Sequence, residues 1–214
     1  MKDALQTLNC DIAVIGGGPA GMMAAGTAAA SGADVILIEK NRRPGRKLLI
    51  TGKGRCNITN AAPDVRGFLE HFGKKGRYLH SLLHAFSIDD TISFFTGRGC
   101  PVKVERGNRV FPESDSAADV LRVLQEYMKE HGVRALYGRE VSGVVRDNSH
   151  ITRITTGDGG FEVREILINQ PVAAEKLLHV LFGSAVCDQF VRRGHVDAVD
   201  VRKTYRRCGR SEID

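Results

Sequence analysis

The chain has 214 residues, 42% of them hydrophobic, which suits one globular domain, or one and a half, with a real core. Its net charge of +6 and pI near 9.2 raise nucleic acid as a partner, but the Lys and Arg are scattered, aromatics are 6% and Trp is absent, so the balance reads instead as the surface of a phosphate-binding enzyme. Five cysteines, an odd number with no C-x-x-C pair, argue against a disulfide framework or a thiolate zinc site and favour a reducing cytoplasm.

Residues 1–9 are polar and mixed in charge, so no signal peptide is expected before the first strand. The short apolar run 12–15 reads as a strand buried on both faces. Gly16-Gly17-Gly18-Pro19-Ala20-Gly21 breaks it, and a helix of small residues is expected over 19–31, stopped by Gly32. Its apolar stretch 22–30 is too short to cross a bilayer, and no membrane partner is expected. A second buried strand follows at 35–38, and β-α-β within 30 residues implies a parallel sheet. Residues 41–60 are strongly basic and read as a loop with an apolar centre at Leu48, Leu49 and Ile50. Helices are expected over 77–86 and from Ser87, with Asp90 completing a capping box, to Gly97. Residues 102–104 and 109–111 flank a turn and predict a hairpin. Ser116 caps a helix that places Val120, Leu121, Leu124, Tyr127 and Met128 on one face, and Gly132 ends it. Three short strands are expected at 141–145, 151–155 and 161–163, and a further buried strand at 166–168. A helix could cover 173–182, and the remainder of the tail has no clean period.

The glycines of the Gly16-x-Gly18-x-x-Gly21 fingerprint each have a task. The first permits the tight turn, the second lets a pyrophosphate approach the backbone, and the third allows close helix–sheet packing. The helix N-terminus then offers N–H groups and partial positive charge to phosphates. Alone the fingerprint is weak, since a glycine turn can lack any ligand. Here it follows a strand, opens a helix and precedes Glu39 at the end of the second strand, 18 residues past Gly21. That is close to the roughly 20-residue spacing of the acid that binds a ribose hydroxyl. An acid there disfavours a 2′-phosphate, so NADP is not expected in this slot, while NAD and FAD both fit. The run 51–60 adds cations, hydroxyls and amides that could follow a pyrophosphate toward a flavin ring, although a charge run can also be mere solvated surface.

The residue order now resembles a known family. Residues 11–25, then Glu39-Lys40, then Gly45-Arg46-Lys47-Leu48-Leu49-Ile50 and Thr51-Gly52-Lys53-Gly54-Arg55-Cys56-Asn57-Ile58-Thr59-Asn60, are similar to a bacterial FAD-binding family. It includes aminoacetone-oxidase-like flavoproteins and bile-acid (3-dehydro-bile acid) reductases, with a glutathione-reductase-like FAD domain. Arg109-Val110-Phe111-Pro112, the helix after it and the strands after Gly138 match as well, so the likeness covers roughly 11–169. It implies an α/β, Rossmann-like FAD-binding domain with a parallel central sheet and a three-stranded β-meander. It implies extended FAD, with Gly16, Gly17, Gly18, Pro19, Ala20 and Gly21 on the pyrophosphate and Glu39 on the adenosine ribose. Lys40, Arg46 and Lys47 would lie nearby, Thr51, Gly52, Arg55 and Asn57 would approach the flavin side, and Val141 would meet the adenine edge through its backbone.

The resemblance also implies what is different. Family members are about twice this long, with a multi-domain chain that returns to the FAD domain. After Ile168 this chain has Asn169-Gln170-Pro171-Val172 in place of a Gly-rich turn. The expected division is therefore an FAD-binding first part, 1–169, and an unassigned tail, 170–214, with the substrate domain missing through truncation, frameshift or rearrangement, or because the chain is a genuine short variant. The expected function is an FAD-dependent oxidoreductase of unknown substrate, with NAD(P)H a candidate electron donor and catalytic residues unknown. The alternative is a truncated, non-catalytic nucleotide-binding fragment, and a flavin-dependent RNA-modifying protein is a weaker third reading. Cys56 could be a redox thiol beside Arg55, but with no neighbouring cysteine a packing role is expected. His80 and His84 have helical i, i+4 spacing with no third ligand in register, so no metal site is expected.

Overall fold

A computed structural model describes residues 8–70, 72–147, 150–157 and 159–168. The helix expected over 173–182 and the rest of the tail lie outside these residues. Strands β1 (Leu8–Ile15) and β2 (Val35–Glu39) flank helix α1 (Pro19–Ala30), as the apolar runs predict. They pair in parallel, Ile12 opposite Val35 through Ile15 opposite Ile38. All five residues of β2 are buried, which is why its sequence is an unbroken apolar run up to Glu39.

The six-stranded sheet has the order β6-β2-β1-β9-β8-β7. Here β6 is Arg134–Tyr137, β7 Val141–Asp147, β8 His150–Thr156 and β9 Gly159–Ile168. Strands β6, β2, β1 and β9 are parallel, and β9, β8 and β7 form an antiparallel meander. The two expected strands at 161–163 and 166–168 are one: β9 pairs with β8 over its first residues, 159–162, and with β1 from Phe161 through the polar Arg164 and Glu165 to Ile168. The long register with β1, rather than an apolar pattern, holds it extended. β6, which no sequence pattern announced, completes the parallel set beside β2.

The basic stretch 41–60 is not a plain loop. It holds α2 (Arg46–Ile50), a 3₁₀ turn (Thr51–Gly54) and β3 (Thr59–Asn60). Buried Leu48 anchors α2, and Gly45, in the left-handed region at φ 72°, starts it with no room for a side chain against Leu121. Helix α3 (Val65–Glu70), a 3₁₀ segment (Gly73–Leu79) and α4 (His80–Ala85) follow. The helix expected over 77–86 is thus shorter, its first turn being 3₁₀. In α5 (Ile88–Thr96) the capping box forms: the Ser87 hydroxyl accepts from the Asp90 N–H at 3.0 Å, and the Asp90 carboxylate accepts from the Ser87 N–H at 2.8 Å.

Strands β4 (Val102–Glu105) and β5 (Arg109–Pro112) form the predicted hairpin, and β3 extends it to a second, three-stranded sheet. Helix α6 (Ala117–Glu130), capped by Ser116, packs on α1. Gly26 permits that contact, since a Cβ there would lie 2.4 Å from the Tyr127 ring. The main core joins α1, α2, α6 and one face of the sheet around Val14, Leu37 and Val123.

Candidate nucleotide-binding site

The site lies where the parallel strands β1, β2 and β6 end and the chain turns out of the sheet. Gly16 adopts φ 108°, which only glycine takes without strain, and its N–H donates to the Ile38 carbonyl at 2.8 Å. Gly17 then donates to Glu39 Oε2 at 2.7 Å and accepts from the Gly45 N–H at 2.8 Å. A Cβ on Gly17 would lie 3.1 Å from both Glu39 Cβ and Pro44 Cβ, so this middle glycine is needed for the turn to sit against Glu39. Gly18 is the N-cap of α1, extended and without a side chain, and Pro19 follows at the first helical position. The helix's first internal bond runs from the Met22 N–H to the Gly18 carbonyl. Ala20 and Gly21 thus belong to the first turn, whose N–H groups have no intrahelical partner, beside a proline that has none to satisfy. This is the standard geometry for an anion.

Glu39 is 8% exposed, and its carboxylate is the hub. Oε2 accepts from Gly17, while Oε1 accepts from the Asn41 N–H at 2.8 Å and from the Asn41 side-chain amide. A carboxylate has about four acceptor positions, so one lone pair remains for a ribose hydroxyl. The Asn41 amide oxygen in turn accepts from Arg46 Nη1 at 2.8 Å. The turn after β6 closes the arrangement: the Gly138 N–H donates to the Asn41 carbonyl at 2.9 Å and the Arg139 N–H to the Glu39 carbonyl at 3.1 Å. Lys40 pairs with Glu140 at 3.9 Å across exposed surface, a weak interaction. Val141 begins β7 just beyond this turn and packs on the small core around Ile36 and Ile38.

The structure therefore brings Gly16 through Gly21, Glu39, Lys40 and Arg46 together at one sheet edge, with Val141 just past the turn. Lys47 is exposed on α2. Sequence reasoning missed Asn41, Pro44 and the 138–140 turn. Asn41 had a signal in its place two residues after Glu39. Nothing local could have revealed the β6 turn.

The Thr51–Asn57 region is built differently. Gly52, Lys53, Gly54 and Cys56 all have positive φ, a coil that tightens the chain into a knuckle. Its Arg55 and Asn57 side chains face the second sheet. Arg55 Nη1 donates to Glu105 Oε1 at 2.7 Å and to Asp115 Oδ1 at 3.3 Å, and the guanidinium lies 4.1 Å over the Phe111 ring. Lys103 Nζ joins Asp115 at 2.6 Å. Asp115 is held below the usual carboxylate range, by Lys103 first and Arg55 second. In the orientation that satisfies both of its amide atoms, Asn57 donates to the Thr59 and Val110 carbonyls. The Thr51 hydroxyl donates to the Leu48 carbonyl at 2.7 Å. So Arg55 and Asn57 are engaged by protein, and the knuckle presents backbone and the exposed Gly52 and Lys53 outward. Cys56 is buried, and burial pushes its thiol up, the opposite of an activated thiolate.

A parallel sheet, a glycine turn into a helix and an acid at the end of the next strand define a Rossmann-type dinucleotide-binding domain. Residues 10–173 match the family model described as the HI0933-like protein Rossmann domain, and the chain belongs to that family, which bears out the FAD-binding resemblance seen in the sequence. The chain is 36% identical over 135 residues to the 3-dehydro-bile acid delta(4,6)-reductase of Clostridium scindens, covering 62% of this chain and 32% of that one. It is 30% identical over 142 residues to the ribosomal RNA dihydrouridine synthase of Escherichia coli, covering 66% and 34%. The chain thus spans about a third of the length of these relatives. Among solved structures, a flavocytochrome c3 fumarate reductase in its open conformation superposes with a TM-score of 0.61 at 21% identity, over 75% of this chain and 33% of that one, a likeness of fold.

Proposed function

We propose that this domain binds FAD through the glycine turn and Glu39 and serves as the flavin-holding part of an oxidoreductase. The observation that carries the reading is the buried Glu39 carboxylate, which locks the Gly17 turn and the Asn41 segment at the strand ends and keeps one lone pair for a ribose hydroxyl. The start of α1 would hold the pyrophosphate, with Arg46 within reach of the same edge. The exposed backbone of the Thr51–Gly54 turn would face the flavin side, with Arg55 and Asn57 acting as its supports rather than as ligands.

When bound, FAD would supply hydride transfer. The chain's own residues bind and orient it. The names of the two relatives, a delta(4,6)-reductase and a dihydrouridine synthase, support a reductive reaction; NAD(P)H is our candidate donor. Buried cysteines at positions 10, 56 and 100 fit a cytoplasmic setting.

The test is reconstitution. Purified chain mixed with FAD should retain yellow flavin through gel filtration and quench flavin fluorescence. Glu39→Ala should weaken uptake by at least about tenfold, the loss of one charged hydrogen bond to ribose plus a loosened turn. NADP should not compete. A chain that folds but takes up no FAD would sink the reading and leave the non-catalytic fragment in its place.

A further inference from the structure

One surface outside the nucleotide site carries chemistry of its own. In sequence, residues 65–84 hold Arg66, Lys74, Lys75 and Arg77 and one acid, Glu70, which pairs with Arg66 at 3.7 Å across exposed surface. Helix α3 and the 3₁₀ segment approach closely here: a Cβ on Gly76 would lie 2.5 Å from the Leu69 carbonyl oxygen. Between them opens a crevice of about 430 Å³ lined by Arg66, Leu69, Glu70, Arg77 and His80. The same stretch of chain carries exposed rings. Among the described residues, the exposed large hydrophobics include two aromatics, and both belong to this stretch: Phe72, 45% exposed, and Tyr78, 57% exposed. The Arg77 guanidinium lies 4.7 Å over one face of the Tyr78 ring and donates to its hydroxyl at 2.6 Å, which holds the ring in place and leaves its other face for a base. Phe68 backs Phe72 at 5.4 Å between ring centres.

We propose that this surface binds single-stranded nucleic acid, with unpaired bases stacking on Tyr78 and Phe72 and phosphates drawn to Arg66 and Arg77. Exposed rings interleaved with guanidinium groups are the usual means of holding such strands without reading their sequence. The low aromatic content of the whole chain argued against this partner, but among the described residues the two most exposed aromatics stand in the same stretch as the crevice. An anionic membrane would also attract the charge. It is disfavoured because α3 and α4 have six residues each, too short to lay an apolar face along an interface. The proposal goes beyond the FAD reading and stands or falls apart from it.

Fluorescence anisotropy of the full chain with a labelled single-stranded RNA of about 20 nucleotides, and with its DNA counterpart, tests it. Binding of either strand should weaken steeply as salt rises from about 50 to 200 mM. Tyr78→Leu, which keeps every charge, should weaken it about tenfold with the salt slope unchanged. Arg77→Ala should reduce that slope by about one. Arg106→Ala, on the exposed hairpin turn, should change neither, and FAD uptake should be the same in all variants. Three results would each overturn the proposal: no binding of either strand by the wild-type chain, equal binding by Tyr78→Leu, or binding to phosphatidylserine vesicles without binding to the oligonucleotides.

Discussion

Two polar knots hold the functional half of this molecule, and they are made of different material. The Glu39 knot is buried, and its single carboxylate gathers two backbone N–H groups and an amide from two separate turns. The Arg55 knot is partly exposed, with side-chain exposures of 32%, 29% and 44% for Arg55, Glu105 and Asp115, and every hydrogen-bonding partner in it is a charged side chain. Backbone donors cannot leave, so the first knot fixes main-chain geometry where phosphate and ribose would bind. Charged side chains can exchange their partners for water and salt, so the second holds the knuckle to the hairpin conditionally.

The sharpest way to break the comparison is Glu39→Ala. It strands the Gly17 and Asn41 N–H groups at the strand ends, each worth about 1–3 kcal/mol when left without a partner. Urea denaturation should show a loss of roughly 3 kcal/mol that is the same at low and high salt. A loss below about 0.5 kcal/mol, within the range of ordinary surface substitutions, would mean that water replaces the carboxylate freely and that the knot is not structural.

Gly17→Ala probes the same knot from the other side. The added methyl would sit 3.1 Å from Glu39 Cβ and Pro44 Cβ, closer than ordinary contact, and both neighbours are buried. The expected cost is about 1–2 kcal/mol from overpacking, with weaker FAD retention. If the variant is as stable as wild type and retains FAD equally, the close approach is slack rather than required.

The two knots also differ in how far they could be read from sequence. Glu39 was legible because its strand is buried on both faces and its partner turn is a glycine fingerprint only 18 residues away. The Ser87–Asp90 box and the Ser116 cap were legible for the same reason: donor and acceptor lie within one turn of chain. Arg55 meets Glu105 and Asp115 across 50 and 60 residues, and no local pattern encodes that pairing. So the run 51–60 identified a family correctly, while the task of its arginine came only from the fold. β6 escaped because all four of its residues are half-buried at a sheet edge, which leaves neither an apolar run nor a clean alternation. α2 escaped because charge was read there before the single buried Leu48 that makes it a helix.

The smallest effect, and the most telling about the Arg55 knot, is its dependence on acid and salt. The Asp115 carboxyl is held below the ordinary carboxylate value by Lys103 and then by Arg55. A carboxyl lowered in the folded state contributes stability that is fully present above the ordinary carboxylate range and is lost as pH falls through the lowered folded value. Arg55→Met should therefore lower the melting temperature modestly at neutral pH, by less than Glu39→Ala does. The gap to wild type should shrink as pH is taken down toward about 3, and shrink again in about 1 M salt. What remains in acid and salt is the contact of the guanidinium with the Phe111 ring, which needs no carboxylate. Adding Asp115→Asn separates the two: the coupling between positions 55 and 115, measured as a double-mutant cycle, should be favourable at neutral pH and absent in acid. A coupling that survives acid unchanged would mean that the knuckle is held by packing on Phe111 alone, and the contrast between the two knots would then be one of burial rather than of charge.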